Sequence, residues 1–346
     1  MARFVCGAWL ILVGTLGCGS PGDEQGQGGG GASAGGSSAG GAAATGGATC
    51  DPPLNATGCV HPTVAARCAN GFCEIPPGCF VMGAPPCEWS RALVTQNEMM
   101  VTLTHAFEIQ ERELTQAEWT ALGVPNPSGS REDVRDCIAP DCPVGEVSFM
   151  EALAFANLLS ERNSPPLPAC YELVGCSGKL GQDLSCERAT TTSTTVYECR
   201  GYRLPTKTEW EYAARAGSRS AFYAGDIAPQ SGIGVCGADP VLEQLAWYCH
   251  NSGATTHPVA AKRPNAWGLY DALGNAAEWT TGAAQEALRP SSATDPEGDL
   301  PDSPIRPARG GFANAHSSDC RLADWIVGGT NQRAPGFGLR LVRTLP

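Results

Sequence analysis

Several features that would place a chain in a familiar class are missing from this sequence. Cations are in deficit: 23 lysines and arginines face 35 aspartates and glutamates, for a formal charge of −12. An acidic chain repels phosphate backbones, so no nucleic acid partner is expected. None of the 17 cysteines has another two residues away in the zinc-knuckle spacing, which argues against structural zinc. The five histidines, His61, His105, His250, His257 and His316, include no helical H-x-x-x-H pair and no facial-triad pattern, so no iron centre is assigned. The apolar run FVCGAWLILVGTL near the N-terminus is too short to serve well as a membrane span.

What is present suits an exported protein. With 346 residues the chain can build one large domain with appendages, and its cysteine content fits an oxidising compartment. Arg3 and the apolar run after it read as a signal peptide over residues 1–18. The run ends in Thr15-Leu16-Gly17-Cys18, which resembles a bacterial lipobox with Thr15 where leucine is usual. Cys18 is therefore the expected lipidation site and the membrane the expected partner of the anchor. Gly19 stands where aspartate would retain a lipoprotein at the inner membrane, which tilts the expectation towards the outer membrane or cell surface. Residues 19–49 are glycine, alanine and serine with almost no apolar bulk, a flexible tether reaching on the order of 30 Å. Its Gly36 to Gly40 matches G-x-S-x-G by chance, since no strand precedes it and no helix follows.

Residues 50–74 form a Cys-rich lead-in, and residues 75–346 carry the mixed patterning of an α+β domain. Val101, Leu103, Phe107 and Ile109 alternate on one face and predict a strand from Met100 to Ile109, interrupted by His105. Three helix starts share one device, a hydroxyl residue followed three later by glutamate: Thr115 with Glu118, Ser148 with Glu151, Thr206 with Glu209. The glutamates of such capping boxes are already engaged, and they read as structural rather than as acids or bases. The helix from Ser148 carries Phe149, Ala152, Leu153, Ala156 and Leu159 at helical spacing, so it faces a core. The helix from Thr206 stops naturally at Gly217. Between them, residues 164–200 hold four cysteines and read as a disulfide-held surface insertion.

Everything is organised around Asn265 to Trp279, NAWGLYDALGNAAEW, where Asp271 and Glu278 lie in a glycine-punctuated, tryptophan-flanked loop. Together with ELTQAEW from Glu113, PVGEVSFMEALAFANLLS from Pro143, GYRLPTKTEWEYAARAG from Gly201, THPV from Thr256, Arg309-Gly310-Gly311, Cys320-Arg321 and GLRLV from Gly338, it resembles the formylglycine-generating, or sulfatase-modifying-factor, family. The resemblance runs from about Ile75 to the C-terminus. It implies a loop-rich variant of the C-type lectin-like fold. It also implies a structural Ca2+ held by the side chains of Asp271 and Glu278 and the carbonyls of Gly274 and Ala276, a hard-cation set of oxygens. The family's second calcium loop is not recognisable in Tyr248 to Val259.

The oxidising members of that family hold Cu+ between two cysteines five apart and convert a substrate cysteine to formylglycine. Here the corresponding segment reads RGGFANAHSSDCR: Cys320 is in place, Ala315 stands at the first cysteine position, and Phe312 stands where serine is usual. One thiolate cannot make a linear copper site. His316 is the one neighbour that could substitute, so Cys320 and His316 are the catalytic candidates if oxidation is retained. Removing Cys6 and Cys18 from the count leaves an odd number of cysteines. The rest fall into neighbouring sets, Cys50 to Cys87, Cys137 with Cys142, Cys170 to Cys199, and Cys236 with Cys249, and Cys320 is left over as the candidate free thiol. The expectation is a non-oxidising binding or accessory protein acting on an exported protein, peptide or glycan, with formylglycine-type oxidation as the alternative.

Overall fold

The computed structural model describes residues 54–92, 96–129, 136–232, 234–283, 291–296, 300 and 303–346. The leader with Cys18, the tether and Cys50 lie outside the described residues. The strand expected over Met100 to Ile109 is two strands in two sheets. β4 (Met99–Leu103) pairs antiparallel with β3 (Gly78–Met82) and parallel with β9 (Ser292–Thr294). β5 (Phe107–Gln110) instead lies between β2 (Phe72–Ile75) and β13 (Val342–Thr344), with β1 (Cys68–Ala69) on the outer side of β2. Residues 104–106 carry the chain across, and His105 lies between Glu209 Oε1 at 3.2 Å and Asp295 Oδ1 at 3.3 Å. A second four-stranded sheet runs β11 (Trp325–Gly329), β10 (Ile305–Arg309), β8 (Ala277–Trp279), β12 (Phe337–Gly338).

All three capping boxes form. Thr115, Ser148 and Thr206 accept from the amides of Glu118, Glu151 and Glu209, and each glutamate accepts from its cap amide. They start α1 (Gln116–Ala121), α2 (Phe149–Arg162) and α3 (Lys207–Arg215). The glutamates also take partners from outside the helix: Arg112 for Glu118, Arg333 for Glu151, Arg203 for Glu209. On α2, Phe149, Ala152, Leu153 and Ala156 are fully buried, while Leu159 packs half-buried against the same core. That core includes Trp119 stacked on Phe155 at 4.5 Å.

Every residue of α3 is buried, including four that carry charge. A helix hidden all round must bring partners for its charges. Glu211 receives Arg215 and Arg309, Arg203 holds Glu209, and Lys207 donates to Ala283 O. Tyr212 and Ala213 pack under β2 to β5 while Trp210 and Ala214 pack towards Leu242, Tyr248 and Leu273, so α3 separates two apolar clusters. The helix ends with Ala216 at φ 44 and Gly217 at φ 88, the left-handed stop its sequence predicts.

Disulfides join Cys59 to Cys79, Cys68 to Cys73, Cys137 to Cys142, Cys170 to Cys199, Cys176 to Cys186 and Cys236 to Cys249. Cys87 is disulfide-bonded as well. These bridges mark an extracytoplasmic protein. Residues 164–200 contain a hairpin of β6 (Tyr171–Val174) and β7 (Arg188–Thr191), tied at its base by Cys170–Cys199. That base is more deeply placed than a surface insertion: Cys170, Tyr171, Cys186, Ala189 and Cys199 all belong to the α2 core. Among the described residues no helix is long and apolar enough to cross a membrane.

Candidate functional site

The signature loop is wired to the fold through its polar side chains. Asn265 donates to the carbonyls of Ala213 and Ala214 at the end of α3, and its own carbonyl accepts from the amides of Trp267 and Leu269. Satisfying the last helix carbonyls in this way fixes where the loop leaves α3. Asp271 follows at φ 52, with Oδ2 accepting from Ala260 N at 2.6 Å and Oδ1 buried without a hydrogen-bond partner. Burial pushes its carboxyl up to about 6, against the pull of the Ala260 amide and Arg340. Gly274 and Asn275 also take positive φ. Asn275 donates to Glu113 Oε2 and Ala276 N donates to Glu113 Oε1, both at 2.6 Å. Glu113 is fully buried, and burial, then the charges of Asp271 and Glu278, raise its carboxyl well above the usual range.

Glu278 decides whether calcium fits. Its Oε1 accepts from Arg340 Nε at 3.0 Å and Nη2 at 2.7 Å, and its Oε2 accepts from Arg340 Nε at 3.0 Å and Trp210 Nε1 at 2.6 Å. Three N–H groups, the Nε hydrogen shared between both oxygens, thus engage this carboxylate, and its charge is matched by the buried guanidinium. Asp271, Gly274, Ala276 and Glu278 therefore do not fit a calcium ion. Among the described residues the only group of three or more His, Cys, Asp or Glu donors within 4.8 Å of one another is Cys68, Cys73 and Glu111. Its sulfurs are joined to each other in a disulfide.

The second candidate lies directly against this loop. β10 ends at Arg309, and Gly310 and Gly311 turn with φ 90 and 74. Ala313 N donates to Asn275 O, and Gly274 N donates to Gly310 O at 2.7 Å. A short 3-10 turn over Ser317–Cys320 then delivers Cys320 into the cluster around Trp210, Leu273 and Ala315. Cys320 is fully buried and is the free cysteine among the described residues. Burial, followed by the charges of Asp319 and Asp324, pushes its thiol well up, which disfavours the thiolate that a nucleophile or copper ligand requires.

At the expected position of a second sulfur there is the buried methyl of Ala315, whose carbonyl accepts from Cys249 N. Phe312 packs over Gly336, where an added Cβ would stand 2.9 Å from its ring. His316 caps the turn that carries Cys320, its side chain accepting from the Asp319 amide. Its Nδ1 lies 3.4 Å from Asp319 Oδ2, and its side chain is 36% exposed while Cys320 is sealed. The residues present do not fit a Cu+ ion held by two thiolates. Chemically, the segment offers a thiol packed into an apolar cluster beside a hydrogen-bonded loop.

Sequence reasoning missed Glu113 and the buried arginines Arg203, Arg309 and Arg340. Each lies inside a signature segment or beside one, so the letters were visible; Arg203 has its partner Glu209 six residues on, but the partners of Glu113, Arg309 and Arg340 are remote in sequence.

A model of the sulfatase-modifying factor enzyme 1-like domain matches residues 61–345. A protein of Paenibacillus barcinonensis named chaperone protein LppX is 30% identical over 52% of this chain and 62% of its own length. The formylglycine-generating enzymes of Mycobacterium tuberculosis and Streptomyces coelicolor are 30% and 36% identical, over 42% and 38% of their lengths. The chain thus spans less than two thirds of these relatives. Among solved structures, Treponema denticola variable protein 1 is similar at 25% identity and TM-score 0.59, covering 79% of this chain and 95% of that one. PvdO from Pseudomonas aeruginosa shares the fold at 21% identity and TM-score 0.59, covering 85% of this chain and all of its own. With its signature segments packed together in a loop-rich, disulfide-bonded α+β fold, the chain belongs to the FGE-sulfatase family of sulfatase-modifying factor enzyme 1-like domains.

Proposed function

We propose that this protein is an exported, lipid-anchored FGE-sulfatase domain that works by binding an exported protein or peptide and does not oxidise it. One observation carries the reading: the segment that would hold copper offers a single thiol, Cys320, fully buried and with its ionisation suppressed. A fold can persist after its reactive site is lost. The relative named as a chaperone is in keeping with an accessory role, and Cys18 with its following tether would hold the domain at the membrane.

The test is an anaerobic titration of the mature chain with Cu+ against a competing chelator, beside oxygen uptake with a cysteine-containing peptide. Cys320→Ala serves as control in both. The expected result is no one-to-one copper binding that depends on Cys320, and no oxygen uptake. Tight binding lost in Cys320→Ala would instead restore the formylglycine-type reaction and make His316 the next residue to change. Mass analysis of the mature N-terminus tests the anchor, since an unmodified Cys18 removes it.

A further inference from the structure

We infer that the cation holding the Asn265–Trp279 loop in this chain is the guanidinium of Arg340, and that its presence is what keeps a metal ion out. Arg340 lies between β12 and β13, fully buried. Its Nη1 donates to Gln110 O at 2.9 Å, at the end of β5. Its Nη2 donates to Tyr270 O at 2.6 Å, inside the loop, and to Glu278 Oε1 on β8. Nε adds contacts to both oxygens of Glu278. One carboxylate and two main-chain carbonyls from three separate segments converge on one positive group, which is the donor chemistry a hard cation collects.

The fork geometry of a guanidinium lets it serve carboxylate and carbonyls at once, which a point charge on a flexible stem does less well. Trp210 Nε1 adds a third N–H donor, to Glu278 Oε2. A divalent ion ligated by Glu278 would have to displace a charge-assisted hydrogen bond and then sit beside a buried positive charge. Both steps oppose it.

Removing the guanidinium alone leaves Glu278 and the carbonyls of Gln110 and Tyr270 facing one cavity, with Asp271 and Glu113 as further acidic groups of the same region. That cavity has the character of a cation site, so the arginine masks a latent one.

The probe is terbium, a calcium-like ion whose emission is sensitised by a nearby indole, and Trp210 touches Glu278. Native chain and the Glu278→Gln, Arg340→Met, Arg340→Lys and Arg340→Met/Glu278→Gln variants are titrated with Tb3+, and the melting temperature of each is read in Ca2+ and in EDTA. The native chain is expected to show no sensitised emission that Glu278→Gln removes, and no melting shift between Ca2+ and EDTA that Glu278→Gln removes. Arg340→Met is expected to gain one-to-one emission and a higher melting temperature in Ca2+, both lost in the double variant.

One-to-one emission from the native chain that disappears in Glu278→Gln overturns the inference. So does a folded Arg340→Met chain that acquires no response to either ion. If Arg340→Met does not fold, Arg340→Lys together with the native chain decides: native emission abolished by Glu278→Gln, or a melting temperature of Arg340→Lys equal to the native one, overturns it. A lowered melting temperature with a silent native chain upholds it.

Discussion

Arg203 and Glu209 meet fork to fork in the interior, with Nη1 2.7 Å from Oε2, Nη2 2.6 Å from Oε1, and both side chains fully buried. The same carboxylate accepts from the Thr206 amide and faces His105, so one glutamate joins the start of α3 to the crossing between two sheets. A buried pair contributes little net stability against an apolar replacement, but breaking it leaves an uncompensated charge.

Burial alone would push the Glu209 carboxyl up; the charge and hydrogen bonds of Arg203, with His105 and Thr206 N–H, overcome this and hold it at about 2. The folded value lies below the unfolded reference of 4.5, so the unfolded chain binds the extra proton. This contribution is present above pH 4.5 and drains away as pH falls towards 2. In urea unfolding followed by tryptophan fluorescence, Glu209→Gln should lose roughly 3–5 kcal/mol at neutral pH. Across that window its stability should then fall less steeply than the native chain's as pH is lowered.

Asp324 gives the opposite slope. Burial raises its carboxyl to about 6, partly opposed by Arg321 and reinforced by Asp319, from a reference of 3.8. Here the folded state binds more protons across the window, so stability falls as pH rises through it. Asp324→Asn keeps an oxygen that can accept from Trp325 N and removes the charge. The variant should gain on the order of 1 kcal/mol at neutral pH, an advantage that vanishes near the lower edge of the window. An equal advantage at both pH values would contradict the assignment.

Gly274 and Gly123 provide a matched pair. Both have positive φ, 72 and 78, but a Cβ at Gly274 would overlap Trp247 O, whereas one at Gly123 meets nothing within 4 Å. Gly123→Ala should cost about 1 kcal/mol of backbone strain. Gly274→Ala adds displacement of the Trp247 backbone and should cost about 3 kcal/mol or more. Calorimetry on the two variants would show near-equal melting temperatures if contact with Trp247 were unimportant.

Thiol labelling reads the burial of Cys320 directly. A water-soluble disulfide reagent should label no cysteine of the folded chain's described domain and one after unfolding without reductant, because the other described cysteines are paired. Rapid labelling of Cys320 in the folded chain would mean that its pocket opens, and would reopen the case for reactivity.

What could be read from the sequence was what depends on near neighbours. Thr115, Ser148 and Thr206 announce their helices because a capping box spans three residues, and Cys320 stands out because the six bridges seen among the described cysteines join near neighbours. The break at His105 was hidden by phase: Leu103 and Phe107 are four apart, so the alternation runs through the connection although the two strands bury their faces in different sheets. The pairing of Arg340 with Glu278 across 62 residues, of Asn275 with Glu113 across 162, and of Arg321 with Glu88 across 233 leaves no periodic trace. Reading Glu278 as a free carboxylate therefore led to calcium, when its oxygens were already taken.

The pairing of β13 with β5 also sets an order of assembly. Phe107 finds its partner Thr344 only when the last residues of the chain are available. Until then β5 presents an open edge on the side away from β2, the kind of edge that other chains can join. The domain cannot close progressively from its N-terminus, and so long a loop makes the closing step slow. Loss of a few C-terminal residues should accordingly expose the middle of a sheet instead of trimming a tail, and a helper protein would be most useful to this chain before its final strand has docked.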